Sequence, residues 1–194
     1  MSDVPELYGL ALIGGQSTRM GHDKSMIDYH GIPQWQYAVK QLEPLVNKVF
    51  LSVRQGQTID YANLIEDRYP GKGPFGALMT ALETYPDKAF LVLATDLPYM
   101  TDDQLQNIVK QRDASKTATV FKGRGKLYSE PLAAIWEPGS LQDFKRFFSE
   151  NIFKLQAVLK AGAHKTVSID KHFIQNINSL QDFNQTNHDN KKKF

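Results

Sequence analysis

The 194-residue chain contains no cysteine. Disulfides, thiolate zinc sites and a cysteine nucleophile are therefore excluded, and the absence fits a reducing compartment. No apolar run approaches the roughly 20 residues that span a bilayer. The opening Met1-Ser-Asp-Val-Pro-Glu6 is polar and acidic, unlike a secretory leader. The expectation is a soluble, cytoplasmic protein with no membrane partner. An excess of one charge is also missing. With 23 Lys and Arg against 21 Asp and Glu, the net charge is +2, which gives no mandate for a nucleic-acid partner. Metal-ligand spacing is absent among His22, His30, His164, His172 and His188, and there is no His-Glu-x-x-His. These histidines read as surface or turn residues.

What is present fits one domain with a sizeable core, placed at 1–187, with 188–194 as a basic tail carrying Lys191-Lys192-Lys193. Strand-like and helix-like segments alternate. Strands are expected at Tyr8–Ile13, Lys48–Val53, Leu64–Ile65, Ala89–Ala94, Thr117–Phe121, Leu132–Trp136 and Thr166–Ile169. Helices are expected at Pro33–Leu42, Pro74–Tyr85, Thr101–Arg112, Leu141–Phe148, Phe153–Leu159 and Ser179–Gln185, the third opened by a Thr101/Gln104 capping box. Alternation of this kind predicts a three-layer α/β sandwich with a mostly parallel sheet. Ligands in such folds gather at the carboxyl ends of the strands. Phe147-Phe148 reads as core.

The segment Leu10-Ala-Leu-Ile-Gly-Gly-Gln-Ser-Thr-Arg-Met-Gly-His-Asp-Lys24 carries the most chemistry. A buried strand breaks into Gly14-Gly15, a short polar loop, and two cations, Arg19 and Lys24. Glycines let a backbone approach an anion, and turn N–H groups make a concave anion site. Cations there can neutralise charge on a departing phosphate. The loop is neither a P-loop, since five residues rather than four separate Gly15 from Gly21, nor a Gly-x-Gly-x-x-Gly dinucleotide fingerprint. A plain glycine-rich connector is the bland alternative.

Asp96 follows the apolar run Phe90-Leu-Val-Leu-Ala and precedes Leu97-Pro98. A carboxylate at that sheet edge can hold Mg²⁺, which takes oxygen ligands and shares them with substrate phosphates. Equally, it can accept N–H bonds within its own turn. Lys122, Arg124 and Lys126 form a positive stretch suited to a phosphorylated substrate, or a solvated charged turn. Asn178 or Ser179 can cap the last helix.

The loop Leu-x-Gly-Gly-x-Ser-x-Arg-Met-Gly-x-Asp-Lys resembles the signature of molybdenum cofactor guanylyltransferases, nucleotidyltransferases of a Rossmann-like, glycosyltransferase-A-type fold. Leu12, Gly14, Gly15, Ser17, Arg19, Met20, Gly21, Asp23 and Lys24 match, and Ile13 replaces the usual Ala. The double glycine favours the guanylyl branch over related cytidylyltransferases, which often carry Ala-Gly. The resemblance implies transfer of GMP from GTP to a molybdopterin-type cofactor, with Mg²⁺ and release of pyrophosphate. It implies nucleotide contacts from Leu12, Ile13, Gly14, Gly15, Lys24, Asp67 and Asp96, and catalytic roles for Arg19, Lys24 and Asp96. Asp96 then is the metal ligand, with Asn178 a second candidate, and Asp67 a nucleotide contact able to accept donors of the guanine edge. Lys126 and Glu130 fall in a segment resembling the family's acceptor-facing strand. Partner proteins would be those that mature molybdoenzymes. Departures exist. Ser52 and Arg54, themselves candidate nucleotide contacts, stand where the family often has a base-contacting Asn; Arg54 could bind a guanine oxygen or a phosphate, or sit in solvent. Ser179 and Leu180 replace Thr and Pro after Asn176-Ile-Asn178. A sibling enzyme using CTP or another phosphorylated acceptor, and a non-catalytic nucleotide-binding accessory protein, are the alternative readings.

Overall fold

The computed structural model of the protein describes residues 4–13 and 30–176. Within them lie seven strands, β1 (Leu7–Leu12), β2 (Val49–Val53), β3 (Leu64–Glu66), β4 (Ala89–Ala94), β5 (Ala118–Gly123), β6 (Glu130–Trp136) and β7 (His164–Ile169). Five α-helices accompany them, α1 (Gln34–Leu42), α2 (Gly73–Thr84), α3 (Asp102–Lys110), α4 (Ser140–Ser149) and α5 (Leu155–Ala161), with a 3-10 turn at Glu43–Leu45. The strands form one sheet in the order β3-β2-β1-β4-β6-β5-β7. β1, β2, β3 and β4 pair in parallel, as do β5 and β7. β6 runs antiparallel to both β4 and β5.

The central strands read as unbroken apolar runs because both of their faces are covered. Leu10, Leu12, Phe90 and Val92 pack on one side with Phe75, Leu78 and Leu82 of α2 and Phe144 of α4. The alternate residues Ala11, Ile13, Leu91 and Leu93 pack on the other with Leu42 of α1 and Leu105 and Ile108 of α3. Three layers result, the mostly parallel α/β sandwich expected from the alternation. Full burial of each large side chain stabilises by roughly 1.5–3 kcal/mol. Trp136 lies fully enclosed, its indole N–H donating to the Pro131 carbonyl at 3.1 Å. The buried carboxylate of Glu137 is met by two nitrogens of Arg112, at 2.7 and 2.8 Å. Arg112 also donates to the Pro5 carbonyl at 2.8 Å, which ties the lead-in to β1 to the far layer. Phe147 is buried, and Phe148 packs against Tyr69 and Phe153, as core aromatics should.

Several boundaries differ from expectation for identifiable reasons. Pro33 is the N-cap of α1 rather than a residue of its first turn. α5 begins at Leu155, because Phe153 is held outside the helix against Phe75 and Phe148. β6 starts two residues early, at Glu130, where a register shift between Val120 and Phe121 sets Phe121 opposite Glu130. Thr101 does cap α3, its hydroxyl accepting from Gln104 N–H at 3.4 Å. Two histidines are more than turn residues. His30 stacks on Tyr37 at 3.9 Å between ring centroids, and His164 lies in β7 with Nδ1 2.8 Å from the Leu159 carbonyl. The expected final helix lies outside the described residues. No helix among the described residues is long and apolar enough to cross a membrane.

Candidate active site

Among the described strands β6 alone is reversed, so the other six all end at one edge of the sheet and β6 begins there. That edge gathers Ile13, Ser52, Arg54, Asp67, Asp96, Lys126 and Glu130. Gly14, Gly15, Arg19, Lys24 and Asn178 lie outside the described residues.

A cavity of about 390 Å³ opens between the ends of β2 and β3 and the start of α2. Ser52, Arg54, Gln55, Asp67, Gly71 and Pro74 are among its walls. Its two sides are fixed locally. On one, Gln57 N–H donates to the Arg54 carbonyl and Arg54 N–H to the Gln57 side chain, both at 3.0 Å. That turn presents Arg54 and Gln55 at the rim. On the other, Gly71 and Gly73 take φ of +81° and +57°, a left-handed conformation that side chains disfavour. The reversal swings the chain from β3 into α2. The turn also sits tight on the helix. A Cβ at Gly76 would come within 2.8 Å of the Tyr69 carbonyl oxygen.

Asp67 N–H continues the ladder to the Val53 carbonyl at 2.9 Å. One carboxylate oxygen of Asp67 accepts from Tyr69 N–H at 2.8 Å. Thr80 lies 3.4 Å from that oxygen, but its single hydroxyl hydrogen has a nearer acceptor in the Gly76 carbonyl at 2.9 Å. Asp67 is thus oriented by its own turn, and its second oxygen has no partner among the described residues. The turn bond to Tyr69 N–H occupies only one of the two carboxylate oxygens. Ser52 is buried within β2 at the cavity floor.

Asp96 occupies the turn after β4, next to the exit of β1. Thr95 N–H and hydroxyl both lie 3.3 Å from the Leu12 carbonyl. The turn is latched from α1. The buried amide of Gln41 donates to the Met100 carbonyl at 2.8 Å and to Asp102 at 3.1 Å. His30 Nε2 is 3.0 Å from the Pro98 carbonyl. From the other end of the described chain, Asn176 Nδ2 donates to Asp96 at 3.0 Å. Asn176 was not singled out in the sequence, although it belongs to the same Asn-x-Asn segment as Asn178. Gln41 and Gln55 carry no motif signal at all.

Glu130, at the start of β6, accepts from Leu132 N–H at 2.9 Å. Its carboxyl is pushed up from 4.5 to about 7. Burial is the main cause and the negative charge of Asp96 adds to it, while the Leu132 N–H and the Lys126 cation oppose. Glu130 and Asp96 therefore share one electrostatic neighbourhood.

The family model of the MobA-like NTP transferase domain matches residues 9–167. The chain belongs to that family. The Synechocystis "Molybdenum cofactor biosynthesis bifunctional protein" is 33% identical over 192 residues. The match covers 96% of this chain but only 55% of that longer protein. A Natronomonas pharaonis protein named "Probable molybdenum cofactor guanylyltransferase" is 30% identical over 142 residues, 69% of each chain. The fold matches the crystal structure of molybdopterin-guanine dinucleotide biosynthesis protein A from Archaeoglobus fulgidus with a TM-score of 0.76 at 20% identity. That alignment covers 95% of this chain and 99% of the other. The protein is thus an α/β nucleotidyltransferase, as its nucleotide-loop motif implied.

Proposed function

We propose that this nucleotidyltransferase transfers GMP from GTP to a molybdopterin-type cofactor, releasing pyrophosphate. The observation that carries this reading is the cavity beside Asp67. A carboxylate matches the adjacent N1–H and N2–H donors of guanine, whereas the cytosine edge places acceptors N3 and O2 beside its single amino donor. Arg54 and Gln55 supply the rim, and the left-handed glycines leave room for close approach. The names of the curated relatives support the same substrate.

The acceptor's phosphate oxygen attacks the α-phosphorus of GTP. The new P–O bond forms as the bond to the β-phosphate oxygen breaks, and pyrophosphate leaves with that electron pair. No covalent protein intermediate is needed; positioning and charge stabilisation suffice. Arg19 and Lys24 stabilise the departing pyrophosphate, and Gly14 and Gly15 let the backbone approach the phosphates. Leu12 and Ile13 lead into that loop. Lys126 and Glu130 face the acceptor.

The residues fit Mg²⁺. Among the described residues no group of three or more His, Cys, Asp or Glu gathers, and Asp96 offers one carboxylate with an amide, Asn176, at its side. One carboxylate completed by substrate phosphates and water suits this ion. Asp96 would hold it, with Asn178 a second ligand, and when bound it supplies Lewis-acid stabilisation of phosphate oxygens.

A thermal-shift panel of GTP, CTP, ATP and UTP with Mg²⁺ tests the assignment. At 100 times its dissociation constant, GTP should stabilise by about 2.7 kcal/mol. Stabilisation by CTP without GTP would transfer the assignment to a cytidylyltransferase.

A further inference from the structure

A second cavity, of about 280 Å³, lies at the same sheet edge beyond β6. Its walls include Lys122, Arg124, Lys126, Thr166 and Ser168, and among the described residues no acidic side chain lines it. We propose that this cavity binds an anionic group of the acceptor other than the phosphate that attacks GTP. The inference rests on the guanylyltransferase reading and adds a second binding point for its acceptor.

The cavity is built rather than merely lined. Lys122 and Ser168 are register partners across β5 and β7, as are Val120 and Thr166. Residues two apart share a face of a strand, so Lys122, Thr166 and Ser168 stand together. That face is open here, for all three are exposed while Val120 is enclosed. Two more cations come from the turn that ends β5. Lys126 N–H donates to the Gly123 carbonyl at 2.9 Å, and Gly125 takes φ +75°. Arg124 N–H is tied to the Ile169 carbonyl at 3.0 Å. Gly123 lets the turn pack closely, since a Cβ there would sit 3.0 Å from both the Lys126 side chain and Ile174. Three cations and two hydroxyls thus line one cavity on a fixed backbone, a donor-rich set that suits an oxyanion.

Its position excludes the attacking phosphate. Neighbouring strands lie about 4.8 Å apart. β5 is two places from β4 and β7 three, so the cavity is about 10–14 Å from Asp96 across the sheet. One phosphate cannot occupy both places. Lys126 connects them, since it both lines the cavity and acts on Glu130. The ligand expected is a small acceptor with its reactive phosphate at one end and a second anionic group about 10 Å away.

The test uses the full chain and the double variant Lys122→Gln, Arg124→Gln, both at exposed positions, with an unchanged melting temperature confirming the fold. Titration with inorganic phosphate should shift the amide resonances of Arg124, Gly125, Lys126 and Ser168 saturably, on the order of tenfold more weakly in the variant. In steady-state transfer the variant's KM for the acceptor should rise on the order of tenfold while its KM for GTP stays within twofold. Absent phosphate shifts, or shifts undiminished in the variant, overturn the anion site. Phosphate binding with an unchanged acceptor KM overturns the acceptor assignment in favour of free phosphate or pyrophosphate. A wild-type chain that binds phosphate here but transfers no GMP overturns the guanylyltransferase reading and leaves the cavity an anion site for another ligand.

Discussion

Replacing Glu130 with Gln isolates the cost of ionising a carboxylate buried beside Asp96. The folded-state value is raised from 4.5 to about 7, so the native state binds this proton more tightly than the unfolded chain does. A raised carboxylate pKa gives stability that is present at low pH and lost as pH climbs through the window from about 4.5 to about 7. Below that window both states are protonated and nothing is lost; above it both are ionised and the full penalty applies. The shift of about 2.5 units, at 1.36 kcal/mol per unit, bounds the loss at about 3 kcal/mol. The Gln side chain keeps an oxygen to accept from Leu132 N–H but cannot ionise. Urea unfolding of wild type and Glu130→Gln, in metal-free and nucleotide-free buffer from pH 4 to 8.5, reads the difference directly. The two stabilities should diverge as pH rises, with the variant the more stable by up to about 3 kcal/mol near pH 8. Parallel curves across the whole range would show that Glu130 ionises without penalty and that the enclosure described for it is wrong.

Asp96→Asn should lower transfer by at least roughly 10²–10³-fold, the loss typical of one electrostatic contributor; a folded variant with wild-type Mg²⁺ dependence would reduce Asp96 to a turn residue. Arg19→Ala and Lys24→Ala should each slow single-turnover transfer by a similar roughly 10²–10³-fold while shifting the melting temperature little, and normal rates would remove their leaving-group role. Gly76→Ala should destabilise by roughly 1–3 kcal/mol, the cost of overpacking, because the new methyl meets backbone, the Tyr69 carbonyl, at 2.8 Å; an unchanged urea midpoint would show that the cavity wall yields freely.

The parts of this molecule visible in its sequence are those governed by local rules. Asp96 stands out because it closes an apolar run, and strand ends at one edge of a parallel sheet are where ligands sit, whereas Asp67 is marked only by the family resemblance. Helix α3 could be placed by its Thr101 cap. The reversal of β6 could not, because an apolar strand has the same periodicity in either direction. Asn176 was passed over for Asn178 because nothing local says which of the two meets a carboxylate 80 residues away. Gln41 is invisible for the same reason: a buried amide latching the Asp96 turn across 59 residues reads, in sequence, as one more polar position on a helix. The late start of α5 reflects the aromatic packing of Phe153, which overrides local propensity.

The reversed strand also divides the working edge into two kinds of construction. Near Asp67 and Asp96, the loops after β3 and β4 feed α2 and α3, which pack back on the sheet, so changing their length disturbs the layer beneath. On the other side, β5 and β6 are joined directly through residues 124–129. Leu127 and Tyr128 of that connection are largely exposed, at 77% and 54%, so little of the core depends on them. Hairpin connections are among the most freely lengthened and exchanged parts of a fold. A descendant of this scaffold could therefore acquire a new acceptor by rewriting one hairpin while the nucleotide half stayed as it was.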